Sequence, residues 1–202
     1  YVGYLCFEIV KSTSRSNEIT EVSPDIGVCT ECLEDINKHG NRFDYPFTNC
    51  TNCGPRFTII KDLPYDRPLT TMNVFPMCHK CNEEYINILD RRFHAQPVAC
   101  NNCGPHYSLH TNGEIKTNIK SVLDTTCKLI ENGSIIAIKG LGGYHLACNT
   151  FNEESIKKLR MVKSREGKPF AIMFKDIDSA REYLYINNKE EEILTSWRKP
   201  IV

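Results

Sequence analysis

The stretch that decides the fold holds four Cys-x-x-Cys pairs: Cys29-Thr30-Glu31-Cys32, Cys50-Thr51-Asn52-Cys53, Cys78-His79-Lys80-Cys81 and Cys100-Asn101-Asn102-Cys103. The first two pairs are joined by 17 residues and the last two by 18. Two thiolates at this spacing can chelate one tetrahedral ion, and a second pair completes the ligand set of a structural zinc site. The sequence therefore predicts two zinc sites of four cysteines each.

The cysteine region is an internal repeat with an offset of 49 to 50 residues. In each copy the first pair is followed by an acidic segment, 34–36 or 83–85, which we predict to be helical. An Arg-Phe dipeptide, Arg42-Phe43 or Arg92-Phe93, stands before each second pair. The repeat predicts one zinc per copy and favours sequential pairing of the cysteine pairs, with interleaved pairing as the alternative.

A glycine follows each second pair, Gly54 in the first copy and Gly104 in the second. Backbone N–H groups must point at the sulfur atoms around a thiolate site, which requires the chain to curl tightly. We expect both glycines to adopt a positive φ, which glycine takes without steric penalty.

Cysteine usage indicates the cellular compartment. Residues 1–10 show no basic leader or small-residue cleavage site, and no apolar run approaches the ~20 residues that span a bilayer. Eleven cysteines then point to metal ligation in the reducing cytoplasm, with no membrane association, and a disulfide scaffold is the alternative. Three cysteines outside the pairs, Cys6, Cys127 and Cys148, lie in apolar stretches and are predicted to be buried thiols.

After the turn at 111–113 the cysteine pairs end, and the sequence pattern becomes that of an α/β domain. The apolar periodicity and the capping residues predict helices and buried strands in alternation. The predicted elements are a helix over 119–131, a buried strand over 135–138, a glycine-rich loop over 140–143, a helix from Asn152 to Val162, a buried strand over 170–174, and helices over 176–184 and 189–197.

Charge separates the two halves. From Cys29 to His110 there are eight Lys/Arg and nine Asp/Glu, and eight thiolates with two Zn²⁺ bring the net charge to about −5. Such a module is a poor electrostatic match for nucleic acid. From Ser134 to Lys175 eight Lys/Arg face three Asp/Glu. Cations beside a glycine loop suit a phosphate-bearing ligand, and a solvated basic face is the alternative.

Several long motifs, in order, resemble the HypF type of hydrogenase-maturation carbamoyltransferase. They are Pro24-Asp25, YPFTNCTNCGPRFTII over 45–60, LPYDRP over 63–68, DRRFHAQP over 90–97 and KGLGGYHLAC over 139–148.

The resemblance implies an α+β multidomain fold, in which a duplicated four-cysteine zinc-finger module precedes part of an α/β YrdC-like domain. It implies that residues 1–22 are the remnant of an acylphosphatase-like domain. The tandem module then covers 23–112, with repeats at about 23–66 and 67–112, and 113–202 form the first part of the YrdC-like domain. The rest of that domain and the transferase domain are expected to lie outside the chain.

The resemblance also implies the activity. Members of the family take carbamoyl phosphate and ATP with Mg²⁺ and form a carbamoyl-adenylate. They pass the carbamoyl group to the C-terminal cysteine of a partner maturation protein of the HypE type. The closed four-thiolate sites would then be structural, joining domains around a chamber for unstable carbamate, while the chemistry lies around Lys139 to Lys168.

Site residues follow from the YrdC-like pattern. Its Lys-x-Arg motif matches Lys163-Ser164-Arg165, and its Tyr-Gly-Leu matches 144–146. The residues expected to bind substrate or nucleotide are Lys139, Gly142, Gly143, Tyr144, Lys163, Arg165 and Lys168. The expected catalytic residues are Lys139 and His145, with a satisfied core imidazole as the alternative for His145.

Two glycines, Gly142 and Gly143, stand where YrdC-like proteins carry a Thr-rich loop. This difference favours carbamate over a threonine-derived carbamate as the acid that is adenylated. Two other functions stay open at this point: a zinc-ribbon module that binds nucleic acid or protein, and a YrdC-type synthase of tRNA threonylcarbamoyladenosine.

Overall fold

The structure, a computed structural model of the 202-residue chain, describes residues 22–140, 142–165 and 167–202. The predicted acylphosphatase remnant at 1–22 lies, apart from Val22, outside the described residues, and so does Cys6.

The cysteine region is built from two short α-helices and several turns of 3-10 helix. Helix α1 spans Thr30–Asn37 and α2 spans His79–Ile86. They confirm the two predicted acidic helices, but each begins earlier than predicted, directly after the first cysteine of its pair. Between the two α-helices lie 3-10 helices at Thr51–Cys53, Phe57–Ile59, Arg67–Leu69 and Thr71–Val74.

The core of this region is small and divided. One buried cluster joins Tyr45, Ile59, Met72 and Ala99, which come from both repeats. Two further clusters form around the cysteines themselves. Because a core of this size contributes little apolar burial, other interactions must hold the region together.

A buried arginine ties the Pro-rich connector between the fingers, residues 61–68, to the second finger. The guanidinium of Arg67 donates to the carbonyl oxygens of Gln96 at 2.7 Å, Val98 at 2.8 Å and Phe75 at 2.7 Å. Its backbone N–H also donates to the Gln96 side chain at 2.7 Å. Four hydrogen bonds from one residue fix the connector in place.

The second half begins with a hairpin. Strands β1, Leu109–Thr111, and β2, Glu114–Lys116, pair antiparallel. Asn112 and Gly113, both with positive φ, form the turn that the sequence predicted. Helix α3, Ile119–Glu131, has the predicted bounds.

Beyond α3 lies a second hairpin, followed by three helices. Strand β3, Ile136–Lys139, pairs antiparallel with β4, Tyr144–Ala147, and the glycine-rich segment forms the turn. The remaining helices are α4, Glu153–Lys163, α5, Ile177–Arg181, and α6, Asn188–Thr195. Helix α4 starts after the predicted cap, Asn152, whose side chain accepts a hydrogen bond from the Ser155 N–H.

Several predictions for this half are wrong. The segment 170–174 forms no strand, and Met173 within it is 97% exposed. Strand β3 exists but is largely exposed, because among the described residues it pairs only with β4. Cys127 is exposed rather than buried, since it lies on the solvent side of α3, and Cys148 is half-buried.

Two helices are shorter than predicted. Helix α5 ends at Arg181 instead of Leu184, and α6 ends at Thr195 instead of Trp197. After each end the chain continues as a hydrogen-bonded turn and not as helix: the Leu184 N–H donates to the Ala180 oxygen at 2.9 Å and the Ser196 N–H to the Ile193 oxygen at 3.2 Å. In the described part of the chain, no helix combines the length and hydropathy of a membrane span.

Candidate metal centres and basic hairpin

The first candidate metal centre consists of Cys29, Cys32, Cys50 and Cys53, whose sulfur atoms lie within 4.8 Å of one another. Helix α1 positions Cys32, and the 3-10 turn at Thr51–Cys53 positions Cys53. The Sγ atoms of Cys29 and Cys50 are 3.6 Å apart, and those of Cys50 and Cys53 are 3.9 Å apart.

The second centre consists of Cys78, Cys81, Cys100 and Cys103 and has the same arrangement. Its Sγ separations are 3.7 Å for Cys78–Cys100, 3.7 Å for Cys81–Cys103 and 3.9 Å for Cys100–Cys103. Helix α2 positions Cys81 as α1 positions Cys32.

These separations fit a tetrahedral zinc site. Four sulfur atoms at the usual Zn–S distance of about 2.3 Å would be about 3.8 Å apart, whereas a disulfide joins its sulfur atoms at about 2.05 Å. The cysteines therefore cluster as metal ligands and not as a disulfide scaffold, and they do so in the sequential pairing.

Backbone N–H groups support the sulfur atoms. The Cys29 N–H donates to the Cys53 Sγ at 3.3 Å, and the Asn102 N–H donates to the Cys100 Sγ at 3.4 Å. Gly54 follows the first centre with φ +68°, as predicted.

The prediction of a positive φ is wrong for Gly104, which is not among the glycines with positive φ. The reason for glycine there is steric: a Cβ would lie 1.8 Å from the Tyr45 hydroxyl oxygen and 2.7 Å from the Ala99 Cβ. The absence of a side chain at Gly104 in the second repeat leaves space for Tyr45 of the first repeat.

The thiols of the first centre differ in acidity. Burial raises the pKa of Cys32 to about 11, although the hydrogen bond from Arg91 opposes the rise. Burial also raises the pKa of Cys50, but backbone N–H groups and neighbouring thiols outweigh it and bring the pKa to about 7. A metal must displace protons from such a set, so its binding weakens as the pH falls.

Two arginines that the sequence did not assign to a site reach the sulfur atoms. Arg42 donates to Cys81 Sγ at 3.5 Å, and Arg91 donates to Cys32 Sγ at 3.0 Å. The repeated Arg-Phe dipeptide marked Arg42, but the repeat does not reveal which copy a side chain contacts.

The β3–β4 hairpin carries five of the eight predicted site residues: Lys139, Gly142, Gly143, Tyr144 and His145. Lys139 ends β3 directly opposite Tyr144, and its Nζ lies 5.1 Å from the centre of the tyrosine ring. His145 is the next residue of β4 and pairs with Ile138. The hairpin therefore brings Lys139 and Tyr144 together, whereas His145 pairs with Ile138 on the opposite face.

The glycines of the turn have distinct roles. The Gly140 N–H donates to the Gly143 oxygen at 2.7 Å, which closes the turn. A Cβ on Gly140 would lie 3.0 Å from His145 Nε2, a tight contact with the end of that side chain. A Cβ on Gly142 or Gly143 would meet no atom within 4 Å, so both predicted positions face open space.

The other three predicted residues lie at and after the end of α4. Lys163 is its last residue, and Ser164 ends the helix in the left-handed conformation. The Arg165 guanidinium stacks over the Phe170 ring at 5.5 Å, and Arg160 donates to the carbonyl oxygens of Arg165 and Lys168. The predicted cations thus form two groups on different elements, the hairpin and this loop.

Two family models match the chain. A model described as "HypF finger" matches residues 28–60 and 77–110. A model of the Sua5/YciO/YrdC type, described as "Telomere recombination", matches residues 128–202. The predicted fold class, two four-cysteine zinc-finger-like modules followed by a YrdC-like domain, is therefore confirmed.

Individual relatives belong to the same family as the finger model. The chain is 46% identical over 175 residues to "Carbamoyltransferase HypF" of Rhodobacter capsulatus, a match that covers 87% of this chain and 23% of the relative. The crystal structure of T. kodakarensis HypF is 49% identical, with a TM-score of 0.83, and the match covers 91% of this chain and 24% of that one.

A second solved structure is that of a full-length HypF "in the phosphate- and nucleotide-bound form". It is 45% identical with a TM-score of 0.79, and the match covers 90% of this chain and 24% of that one. The chain thus spans about a quarter of the length of the proteins it matches.

Proposed function

The chain belongs to the HypF family, and from this premise we propose that it forms the finger module and the first part of the YrdC-like domain of a hydrogenase-maturation carbamoyltransferase. The observation that carries the proposal is the succession in one chain of two four-thiol centres and a lysine-bearing glycine hairpin. The activity belongs to the complete protein, since relatives of this name are about four times as long.

Zinc is the proposed metal of both centres. The sulfur separations of 3.6 to 3.9 Å support it, as does the all-cysteine donor set, which zinc favours. Four thiolates leave no coordination position for water, so these ions would supply stability and no catalysis. The cysteines hold the ions, and the backbone N–H groups orient the sulfur atoms.

The proposed domain division keeps residues 1–22 as the end of an acylphosphatase-like domain, 23–112 as the finger module and 113–202 as the start of the YrdC-like domain. The matches of the family models to 28–60, 77–110 and 128–202 support the last two parts. In this arrangement the fingers are the rigid joint between two catalytic domains.

The proposed reaction proceeds in three balanced steps. Carbamoyl phosphate is hydrolysed to carbamate and phosphate in the preceding domain. The carbamate oxygen then attacks the α-phosphorus of ATP, which gives carbamoyl-adenylate and releases pyrophosphate. Finally the C-terminal thiol of a HypE-type partner attacks the carbamoyl carbon and AMP leaves.

The second step is the one assigned to this chain. The substrate is ATP with Mg²⁺, and the charge that moves onto pyrophosphate calls for fixed cations. We assign that role to Lys139, Lys163, Arg165 and Lys168. Their cationic surroundings, eight Lys/Arg against three Asp/Glu between 134 and 175, support the assignment.

The turn of the β3–β4 hairpin is the proposed binding site for carbamate, the acid that is adenylated. Gly142 and Gly143 let the backbone approach the carbamate, Tyr144 shapes the pocket, and His145 donates a hydrogen bond to the carbamoyl oxygen. The open space at both glycines supports a bound group at this position. A Thr-rich loop would fill that space, which favours the smaller acid.

The test of substrate is ATP–pyrophosphate exchange by the complete protein. We expect exchange that depends on carbamoyl phosphate and that threonine with bicarbonate does not support. Exchange with threonine and bicarbonate alone would instead identify a synthase of the tRNA threonylcarbamoyladenosine type.

A pair of variants at Gly143 tests the role of the turn. Gly143→Thr and Gly143→Ala lose the freedom of φ +152° alike, but only threonine adds bulk toward the acid. We expect carbamoyl-adenylate formation to be lower in Gly143→Thr than in Gly143→Ala. Equal rates would remove the steric argument for carbamate.

The cellular setting follows from the same proposal. Unoxidised thiolate ligands require a reducing compartment, so we place the protein in the cytoplasm. The charge of about −5 on the metal-loaded module argues against a nucleic-acid partner. A DNA- or RNA-binding assay over a range of salt concentrations would show strong, salt-dependent binding if the module were a nucleic-acid-binding ribbon.

A further inference from the structure

The two fingers, which we define as residues 28–60 and 77–107, exchange arginine side chains across their interface. Arg42 of the first finger is 4% exposed. Its guanidinium donates to the Cys81 sulfur at 3.5 Å, to the Ala99 oxygen at 3.0 Å and to the Glu84 carboxylate at 2.8 Å. All three acceptors belong to the second finger.

Arg91 of the second finger contacts the first finger in the same way. This guanidinium donates to the Cys32 sulfur at 3.0 Å and to the Glu31 oxygen at 3.1 Å, and it forms an ion pair with Asp35. Its neighbour Arg92 forms an ion pair with Asp35 as well. The acceptors all belong to the first finger.

Backbone hydrogen bonds show the same exchange. The Thr51 N–H of the first finger donates to the Arg91 oxygen at 3.0 Å. At the equivalent position of the second finger, the Asn101 N–H donates to the Asn41 oxygen at 3.4 Å. The two repeats therefore face each other in a reciprocal, approximately two-fold arrangement.

A charge argument gives these contacts a function. Zinc with four thiolates carries a net charge of −2, and a cation that hydrogen-bonds to one sulfur offsets part of it. Partners of this kind around the ligands strongly affect metal affinity. Each centre receives such a cation from the other finger.

We infer that the two metal centres are coupled, because each finger supplies the arginine that stabilises the metal of the other. Four-thiolate fingers need their metal to fold. When the second centre loses its zinc, residues 78–103 lose the structure that holds Arg91 against Cys32, and the first centre weakens. Arg42 couples the centres in the other direction: loss of zinc from the first centre releases Arg42 from Cys81 and weakens the second centre. The inference rests on the zinc occupancy proposed above.

The first test replaces Arg91 with methionine, which keeps the length of the side chain and removes its charge and donors. We expect one of the two zinc ions of the zinc-loaded chain to leave to a chromophoric chelator about tenfold faster. Lys38→Met is the matched control. Lys38 is a first-finger cation whose side chain is 70% exposed and paired with Glu34, away from the sulfur atoms.

A spectroscopic readout separates this role from general loss of stability. With cadmium in both sites, Arg91→Met should shift the cadmium NMR signal of the first centre and leave that of the second in place. Arg91→Lys, which restores the charge, should recover most of the slow release. Unchanged signals and unchanged release in Arg91→Met would overturn the inference.

The second test removes one metal directly. The double variant Cys78→Ser with Cys103→Ser should hold one zinc, and that zinc should leave the first centre about tenfold faster than from the parent chain. Release at the parental rate would show that the centres are independent and would contradict the coupling. A parent chain without two zinc ions would instead refute the proposed occupancy itself.

Discussion

The finger region, residues 28–107, and the hairpin region, which we define as residues 113–202 around the β3–β4 hairpin, are stabilised by different means. The most fully buried side chains all lie between Cys32 and Cys100. They include five of the eight paired cysteines, which have no exposed surface: Cys32, Cys50, Cys53, Cys81 and Cys100. In the hairpin region, Met173 is 97% exposed and Tyr144 is 67% exposed. Buried arginines and metal ligands replace a large apolar core in the first region.

The two regions differ in how accessible their polar groups are. The finger region has closed four-thiol centres and paired charges, which suits a structural role. The hairpin region has open glycines and exposed cations, which suits a site that must admit a substrate. The following predictions test that contrast, beginning with the largest effect.

Loss of one ligand should have the largest effect. Cys53→Ser removes a buried ligand of the first centre, and structural zinc contributes on the order of 10 kcal/mol to the folding of such a module. We expect the zinc content measured by native mass spectrometry to fall below two, with loss of cooperative unfolding in the first finger. The control Cys127→Ser changes an exposed thiol and should keep both ions. Two retained zinc ions in Cys53→Ser would contradict the ligand assignment.

Removal of the buried arginine in the connector should come next. Arg67→Ala leaves the carbonyl oxygens of Gln96, Val98 and Phe75 without their donor. We expect a loss of about 3 kcal/mol in the free energy of unfolding, measured by urea denaturation of the zinc-loaded chain. Lys61→Ala, in the exposed part of the connector, should change it by less than about 0.5 kcal/mol. Similar losses in both variants would mean that the hydrogen bonds of Arg67 contribute nothing specific.

A steric pair tests the packing between the repeats. Gly104→Ala places a methyl group against the Tyr45 hydroxyl, and overpacking of this kind costs about 2 kcal/mol. The Tyr45 hydroxyl is buried and has no hydrogen-bond partner among the described residues, so Tyr45→Phe alone should be neutral or stabilising.

The double variant Gly104→Ala with Tyr45→Phe should recover part of the lost stability, as measured by a double-mutant cycle. Gly40→Ala, whose Cβ would meet nothing closer than 4.0 Å, is the control. Strict additivity of the two changes would show that the hydroxyl is not the obstacle.

The smallest effect concerns a helix cap in the hairpin region. Hydrogen bonds from the N–H and hydroxyl of Ser179 hold the pKa of Asp176 below its usual value. A depressed pKa stabilises the folded state above the unfolded value of about 3.9, and that contribution is lost as the pH falls through the folded value. The protection of the α5 amides from hydrogen exchange, relative to unstructured peptide at the same pH, should therefore fall in acid.

Asp176→Asn provides the control, because asparagine also caps a helix but does not titrate. In that variant the exchange of α5 relative to the other helices should no longer depend on this ionisation. An identical acid response in the variant would place its origin elsewhere.

The sequence predicted the finger region well, because metal ligation imposes a spacing that can be read directly. The four pairs, their sequential grouping and the two helices that follow Cys29 and Cys78 are all found. Capping residues likewise predicted the starts of α4 and α5, and apolar periodicity predicted α3. These features depend on a few neighbouring residues.

The features that the sequence did not predict depend on distant partners. The contacts of Arg42 and Arg91 join residues that lie 39 and 59 positions apart, and the repeat pattern cannot tell which copy supplies an acceptor. The run 170–174 has the composition of a buried strand, but a strand also needs a hydrogen-bonding neighbour, and none pairs with it among the described residues. Composition alone does not provide that neighbour.

The central claim, that the chemistry lies in the hairpin region and the metal in a separate structural region, is tested most directly by ATP–pyrophosphate exchange in the complete protein. With carbamoyl phosphate present, Lys139→Met should lower the exchange rate about 100-fold. Lys157→Met, an exposed cation paired with Glu153, should not lower it. Exchange by Lys139→Met at the unaltered rate would contradict the claim.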